Sequence, residues 1–195
     1  MSDAMLAAIE KRSLNAIQAA VAAGASIDTT DGDGYTALAR MCKSKSGEMS
    51  RSEVEAALWL IANGADVMKP NKDTETPLHL AARAGNLEII NALVAKGATI
   101  AKTKLLYTPL HYCFKTHDKN VAVWDRLLEL GCGIDDKTKW GDTPLFDAIG
   151  AGNATAVKYL LAKGADRDAR DAKNRTPLDK ARDANEPKIA KLLER

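Results

Sequence analysis

The residues best equipped for chemistry lie between positions 111 and 117. His111, Cys113 and His117 offer two imidazoles and one thiol, the groups that bind zinc in many proteins. Zinc ligands usually come in pairs such as Cys-x-x-Cys or His-x-x-x-His, and the sequence contains neither spacing. We therefore expect no metal site here.

Neighbouring carboxylates are a second possible source of chemistry. Asp135-Asp136 and Asp166-Arg167-Asp168 place acidic groups close together along the chain. Both follow a glycine-containing dipeptide that suits a turn, so we expect solvated turn residues. The sequence also lacks a glycine-rich phosphate loop followed by Lys-Ser/Thr, and it lacks a Gly-x-Ser-x-Gly elbow. It predicts neither an enzyme nor a bound cofactor.

Composition argues against several other functions. The 195 residues carry a formal net charge of +2 without a basic stripe, so we expect no nucleic-acid binding. No apolar run reaches the ~20 residues that cross a bilayer, and the first residues lack the pattern of a secretory signal. Cys42, Cys113 and Cys132 show no paired spacing, which favours reduced thiols. We expect a cytoplasmic protein that does not bind a membrane.

The elements that position these residues repeat along the chain. Thr-Pro-Leu-His occurs at 76–79 and 108–111, related strings begin at Thr143 and Thr176, and a degenerate copy begins at Thr36. The five threonines are separated by 40, 32, 35 and 33 residues. Two markers in phase predict a repeat protein. The second marker is a Gly-Ala or Gly-Cys dipeptide, found at 24–25, 64–65, 97–98, 131–132 and 164–165.

One repeat, residues 76–97, shows what each marker does. Thr76 suits a helix N-terminus because its hydroxyl accepts hydrogen bonds from free N–H groups, and the following proline is tolerated in the first turn. Gly85 ends this helix. Apolar residues then recur at helical spacing over 87–94, which predicts a second helix. The polar stretch 99–107 must return the chain to the next repeat.

The pattern Asp-x-x-Gly-x-Thr-Pro-Leu-His-x-Ala-Ala-x-x-Gly is closely echoed at 71–85 and 138–152. With these motifs the chain resembles the ankyrin-repeat family over almost its whole length. The resemblance implies an all-α solenoid of stacked helix-turn-helix units, joined by extended β-turn loops that we call fingers. Compact chains of this type resemble stand-alone bacterial ankyrin proteins.

The repeats imply a single domain over residues 1–195. A solenoid needs polar ends because each repeat buries its faces only against its neighbours, and the charged C-terminal segment meets this need. We expect an N-terminal capping repeat at 1–30, full repeats at 31–70, 71–102, 103–137 and 138–170, and a C-terminal capping repeat at 171–195.

Two repeats carry extra residues. Seven in the first full repeat fall within 43–52, a polar segment for which we expect a mobile loop. Two more lie near 116–120. Insertions of this kind can serve binding, but an insertion tolerated without any function is the simpler interpretation.

The resemblance implies a concave surface lined by the fingers and the first helices. By the family's pattern, contacts come from the first finger residues, the residue before the threonine and two residues at the end of the first helix. In the first two full repeats these are Asp33, Tyr35, Lys43, Lys72, Asp73, Glu75 and Arg83. The later repeats supply Lys104, Leu105, Tyr107, Lys115, Thr116, Lys139, Trp140, Asp142, Lys173 and Arg175.

An apolar patch is expected in the middle of this set. Trp140 lies at a fingertip, and Leu105, Leu106 and Tyr107 occupy the neighbouring finger, where Leu106 replaces the family's usual glycine. Exposed apolar patches rimmed by charge tend to mark interfaces. In the alternative arrangement, Leu105 and Leu106 fold inward and leave only Trp140 exposed.

The sequence therefore predicts a protein that binds another protein through its concave face and fingers, as an adaptor or an inhibitor. Basic residues predominate near the patch, so the expected partner carries an acidic patch around an apolar site. Two alternatives remain open. One is an immunity-type protein that neutralises a cognate toxin, and the other is a structural protein that self-associates. We expect a monomer in the absence of a partner.

Overall fold

The computed structural model describes residues 2–44, 48–114 and 120–194 of the chain. In these ranges the secondary structure consists of twelve helices and one isolated antiparallel bridge between Thr30 and Thr36. The all-α class expected from the sequence is confirmed. The helices group into two compact units, Met1–Ala101 and Lys102–Arg195. The single domain expected over 1–195 stays a prediction.

The first unit holds three pairs of helices. The first helix of each pair packs beside the first helix of the next, and the second helices do the same. Leu38, Leu60 and Ile90 lie fully buried between them. The pairs are α1 (Ser2–Lys11) with α2 (Leu14–Ala22), α3 (Ala37–Cys42) with α4 (Arg51–Ala62), and α5 (Pro77–Arg83) with α6 (Leu87–Ala95).

The second unit repeats this arrangement with three further pairs. Helix α7 packs beside α9 and α9 beside α11, while Phe114, Trp124 and Phe146 fill the core. The Trp124 ring lies 5.5 Å from that of Phe114 and 5.1 Å from that of Tyr159. The pairs are α7 (Pro109–Tyr112) with α8 (Val121–Glu129), α9 (Pro144–Gly150) with α10 (Ala154–Ala162), and α11 (Pro177–Asp183) with α12 (Pro187–Leu193).

Threonine starts the first helix of each full repeat, as the sequence predicted. In α7 the hydroxyl of Thr108 lies 2.8 Å from Nδ1 of His111, and the Thr108 N–H donates to the same nitrogen at 3.0 Å. A histidine at this position thus satisfies groups that a helix N-terminus leaves free. In α9 Phe146 takes the histidine's place, and the buried hydroxyl of Thr143 finds no hydrogen-bond partner within the described ranges.

Every finger closes with the same turn. In the first finger the N–H of Asp31 donates to the carbonyl of Tyr35 at 3.0 Å, while the Asp31 carboxylate accepts from the N–H groups of Asp33 and Tyr35. Short polar side chains favour such turns because they bond the backbone locally. The equivalent residues in the later fingers are Asn71, Thr103, Thr138 and Asp171.

The two insertions are described only in part. Helix α4 begins at Arg51, inside the expected loop 43–52, because Ser50 caps it: the Ser50 hydroxyl accepts from the N–H of Glu53 at 3.3 Å. Residues 45–47 and 115–119 lie outside the described residues. The mobility expected of the first insertion stays a prediction.

Candidate protein-binding surface

Hydrogen bonds between backbones join the adjacent fingers within each unit. In the second unit the N–H of Lys139 donates to the carbonyl of Leu105 at 3.0 Å, and the N–H of Ala172 donates to the carbonyl of Trp140 at 2.7 Å. In the first unit the N–H of Lys72 donates to the carbonyl of Asp33 at 3.1 Å. These bonds fix the spacing of neighbouring fingers and hold their side chains in a defined order.

The fingertips of the second unit expose two large apolar side chains. Leu106 is 45% exposed and Trp140 is 47% exposed. Leu105 and Tyr107 are half-buried. Of the two arrangements expected from the sequence, the structure therefore shows the one in which Leu106 joins Trp140 at the surface, with Leu105 partly covered. We call these four residues the fingertip surface.

The Tyr107 ring connects the fingertip surface to helix α7. Its centroid lies 6.0 Å from that of Trp140, in an edge-to-face arrangement. Tyr112 and His111 approach it to 5.6 and 5.5 Å in the same way. His111 is itself held, since its Nε2 lies 3.0 Å from the carbonyl of Asp136. Each aromatic pair of this kind contributes ~0.5–1.5 kcal/mol, so the rings keep a fixed geometry.

Leu106 adopts a backbone conformation that favours glycine. Its φ is +64°, in the left-handed region that costs a non-glycine residue ~1–2 kcal/mol. Gly141 occupies the same place in the next finger, with φ of +77°. A Cβ there would lie 2.9 Å from the backbone nitrogen of Ala172, so that finger needs glycine for space as well. The finger of Leu106 therefore carries strain together with an exposed apolar side chain.

Charged residues surround the fingertip surface. Lys104 and Lys139 are exposed on the same two fingers. The carboxyl group of Asp142 is half-buried, and this burial raises its pKa above the usual value. Burial also raises the pKa of Tyr107, and the negative charges of Asp147 and Asp142 raise it further. The fingertip surface thus has exposed lysines at the fingertips and acidic side chains near the Tyr107 ring.

In the first unit, two of the predicted contact residues are buried. The Arg40 guanidinium lies 4.1 Å from the ring centroid of Tyr35, and Nζ of Lys43 donates to the Tyr35 hydroxyl at 2.9 Å. That hydroxyl donates to the carboxylate of Glu75 at 3.3 Å, and Arg83 forms an ion pair with the same carboxylate. The contacts of Tyr35 and Glu75 therefore tie neighbouring fingers to each other.

The remaining predicted contact residues have varied surroundings. Asp33 forms an ion pair with Arg40 at 2.9 Å, and Arg175 forms one with Asp171 at 2.7 Å. Lys115, together with Thr116 and His117, lies outside the described residues. The other predicted positions of the first unit and of the last repeat are exposed, namely Lys72, Asp73 and Lys173.

The described residues hold little that suits catalysis or metal binding. Across residues 2–44, 48–114 and 120–194, no three His, Cys, Asp or Glu side chains gather as a metal site would require. The three cysteines are buried and unpaired by disulfides. Burial raises the pKa of Cys42 and of Cys132 to about 12, so these thiols stay protonated at neutral pH. Over the same ranges, every helix is too short or too polar to cross a bilayer.

Comparison with known protein families shows to which family the chain belongs. A family model described as ankyrin repeats (3 copies) matches residues 49–138 and 117–194. The chain belongs to the ankyrin-repeat family. Ankyrin repeats are generally modules for protein–protein interaction.

Several curated ankyrin-repeat proteins are similar to this chain. Alpha-latrotoxin-Lt1a of Latrodectus tredecimguttatus is 32% identical over 70% of the chain and 10% of its own length. The B-cell lymphoma 3 protein homolog of Mus musculus is 29% identical over 83% of the chain and 36% of its own length. Ankyrin repeat and SOCS box protein 11 of Mus musculus is 32% identical over 60% of the chain and 36% of its own length.

The chain spans only about a tenth to a third of the length of these relatives. They come from a spider and a mammal, so they do not support the bacterial origin expected from the sequence.

Two first-helix residues lie on the side of the fingers, although the family's contact pattern does not include them. Tyr112 lies four residues after the capping Thr108, and its ring contacts that of Tyr107, which directly precedes this threonine. Asp147 takes the same place after Thr143. The signal was available in the sequence, because a residue four positions into a helix returns to the face from which the helix started. The residue four positions after the capping threonine therefore lies on the same face as the finger residues.

Proposed function

We propose that the second unit binds a partner protein through the fingertip surface of Leu105, Leu106, Tyr107 and Trp140, so that the protein serves as an adaptor or an inhibitor. The observation that carries this proposal is the pair of exposed apolar side chains, Leu106 and Trp140, on two hydrogen-bonded fingers. Tryptophan and tyrosine side chains such as Trp140 and Tyr107 dominate the binding energy of many interfaces.

The backbone of Leu106 supports the same conclusion. Glycine would remove the strain of a positive φ at this position, yet the chain places a leucine there and exposes it. A bound partner would cover this exposed leucine.

The rim suggests the chemistry of the partner. Lys104 and Lys139 stand exposed beside Leu106 and Trp140, which favours acidic groups around the partner's apolar contact. The three buried cysteines, which form no disulfide, support the cytoplasmic location expected from the sequence.

The test is a quantitative capture experiment with three immobilised proteins: wild type, Trp140→Ala and Val121→Ala. Val121 is the matched control because it is also a large, exposed apolar residue (37%), but it lies on helix α8. We expect mass spectrometry to find at least one protein that wild type and Val121→Ala retain from a native lysate and Trp140→Ala loses. Equal retention by all three would contradict the proposal.

Self-association through the same surface is measured separately. Light scattering after size exclusion should give a monomer at all concentrations. A concentration-dependent dimer that Trp140→Ala abolishes would replace the partner protein with a second copy of this chain. Neutralisation of a toxin is a special case of inhibition, and the identity of the captured protein would decide it.

A further inference from the structure

The carboxylate of Asp142 is unusual among the acidic residues of the fingers. Asp171, in the neighbouring finger, forms an ion pair with Arg175 at 2.7 Å. Glu75 and Asp31 likewise pair with arginines. The Asp142 carboxylate forms no hydrogen bond or ion pair in the part of the chain that the structure describes, although it is half-buried.

The charge of Asp142 is only partly compensated. Burial is the main influence and raises the pKa of the carboxyl group. The cations of Lys180 and Arg175 act in the opposite direction, while the negative charge of Asp171 adds to the rise. Since the pKa remains raised, the cations nearby do not make up for the water that Asp142 has lost. A further cation close to this carboxylate would gain free energy.

This carboxylate lies next to the fingertip surface. Asp142 follows Trp140 by two residues in one finger, whose turn is closed by the N–H of Thr138 donating to the carbonyl of Asp142 at 2.9 Å. Its charge also acts on Tyr107, whose ring contacts that of Trp140 at 6.0 Å. A cation seated on these two rings would therefore also feel the negative charge of Asp142.

We propose that an arginine of the partner, next to its apolar contact with Leu106, stacks its guanidinium on the Trp140 ring and pairs with the carboxylate of Asp142. This inference rests on the proposed function and names the chemistry of the partner. Arginine suits the site better than lysine because its planar group stacks on aromatic rings and binds a carboxylate through two parallel hydrogen bonds. Exposed Lys104 and Lys139 would repel a run of basic residues, so the arginine is flanked by acidic ones.

The test uses peptides of known sequence. Random twelve-residue peptides displayed on phage are selected on the wild-type protein, and binders are kept if Trp140→Ala weakens them while Val121→Ala does not. We expect these peptides to share one arginine with acidic neighbours. Replacing that arginine by citrulline, which keeps the shape but lacks the charge, should weaken binding by about tenfold.

A double-mutant cycle assigns the contact. Asp142→Asn should weaken the arginine peptide by a similar factor and leave the citrulline peptide unchanged, with thermal melting confirming that the variant is folded. A lysine version of the peptide should bind less tightly than the arginine version.

Other outcomes overturn the inference in distinguishable ways. If the selected peptides depend on Trp140 but contain no required arginine, or if Asp142→Asn weakens the arginine and citrulline peptides equally, the inference is wrong and the proposed function stands. If no selected peptide depends on Trp140, the inference and the proposed function both fail.

Discussion

The ring centroids of Tyr107 and Trp140 lie 6.0 Å apart, at an interplanar angle of 61°, although the two residues belong to consecutive ankyrin repeats. The hydrogen bond from the N–H of Lys139 to the carbonyl of Leu105 holds their fingers together. An exposed tryptophan that rests on a half-buried tyrosine would lose little side-chain entropy on binding a partner, which suits the proposed contact.

Trp140→Ala should separate binding from stability. The side chain is nearly half exposed, so its loss should change the free energy of unfolding by less than ~1 kcal/mol. Binding of a captured partner should weaken by ~2 kcal/mol or more. Isothermal titration calorimetry and urea unfolding measure the two quantities. A large loss of stability would show instead that Trp140 serves the fold.

Leu106→Gly should stabilise the protein while weakening binding. Glycine adopts the φ of +64° without strain, which should raise the free energy of unfolding by about 1 kcal/mol. Thr74→Gly is the matched control, because Thr74 has a φ of +63° in a finger of the first unit. We expect both variants to resist more urea and only Leu106→Gly to bind the partner less tightly. A lower free energy of unfolding for Leu106→Gly would show that packing of the leucine side chain outweighs its backbone strain.

His111 should make stability depend on pH. Burial lowers its pKa to about 4, against 6.5 for an ordinary histidine, so the unfolded chain takes up the proton first as the pH falls. The contribution of His111 is complete above pH 6.5 and is lost as the pH falls towards 4, by about 3 kcal/mol in total.

His111→Gln is the control for this pH effect, since glutamine can cap Thr108 but does not titrate. Urea unfolding at pH 7.5 and 4.5 should show a smaller loss of stability for the variant than for wild type. Equal losses in the two proteins would exclude His111 as the cause.

Arg12 should stabilise the first unit strongly. Its guanidinium pairs with Glu53, where both side chains are only 12% exposed, and it also donates to the carbonyl of Arg40 at 2.6 Å. Arg12→Met leaves these acceptors buried without a partner and should cost ~3 kcal/mol of unfolding free energy. Arg51→Met is the control, because Arg51 is 74% exposed in its pair with Glu55 and should cost less than ~1 kcal/mol. Similar costs for both variants would contradict this assignment.

The helix starts could be predicted because they depend on local chemistry. A capping threonine followed by proline fixes the N-terminus wherever it occurs, and helices α5, α7, α9 and α11 begin at the proline after each such threonine. The finger turns are local in the same sense, since a short polar side chain bonds to N–H groups two and four residues later.

The burial of Tyr35 and Glu75 could not be predicted in this way. Both precede a capping threonine, the position expected to face a partner, and both are covered by cations from elsewhere in the first unit. Arg40 and Lys43 flank Tyr35, and Arg83 pairs with Glu75. Their burial depends on contacts between repeats, which a repeat pattern does not specify.

The position of Leu106 also lay beyond the sequence pattern. A leucine in a turn can point inward or outward, and both arrangements were compatible with its spacing. The left-handed backbone and the hydrogen bond of 2.7 Å from its N–H to the carbonyl of Thr103 select the outward one.

Two-dimensional NMR of the three tryptophan indole N–H groups tests the central claim most directly. Trp140 is exposed at a fingertip, Trp124 is fully buried in the core and Trp59 is half-buried on helix α4, so the signals report on three separate places. When a captured partner or a selected peptide is added to saturation, we predict that the Trp140 signal shifts or broadens while those of Trp59 and Trp124 stay in place. A saturated complex in which the Trp140 signal is unchanged would contradict the claim that the fingertip surface binds the partner.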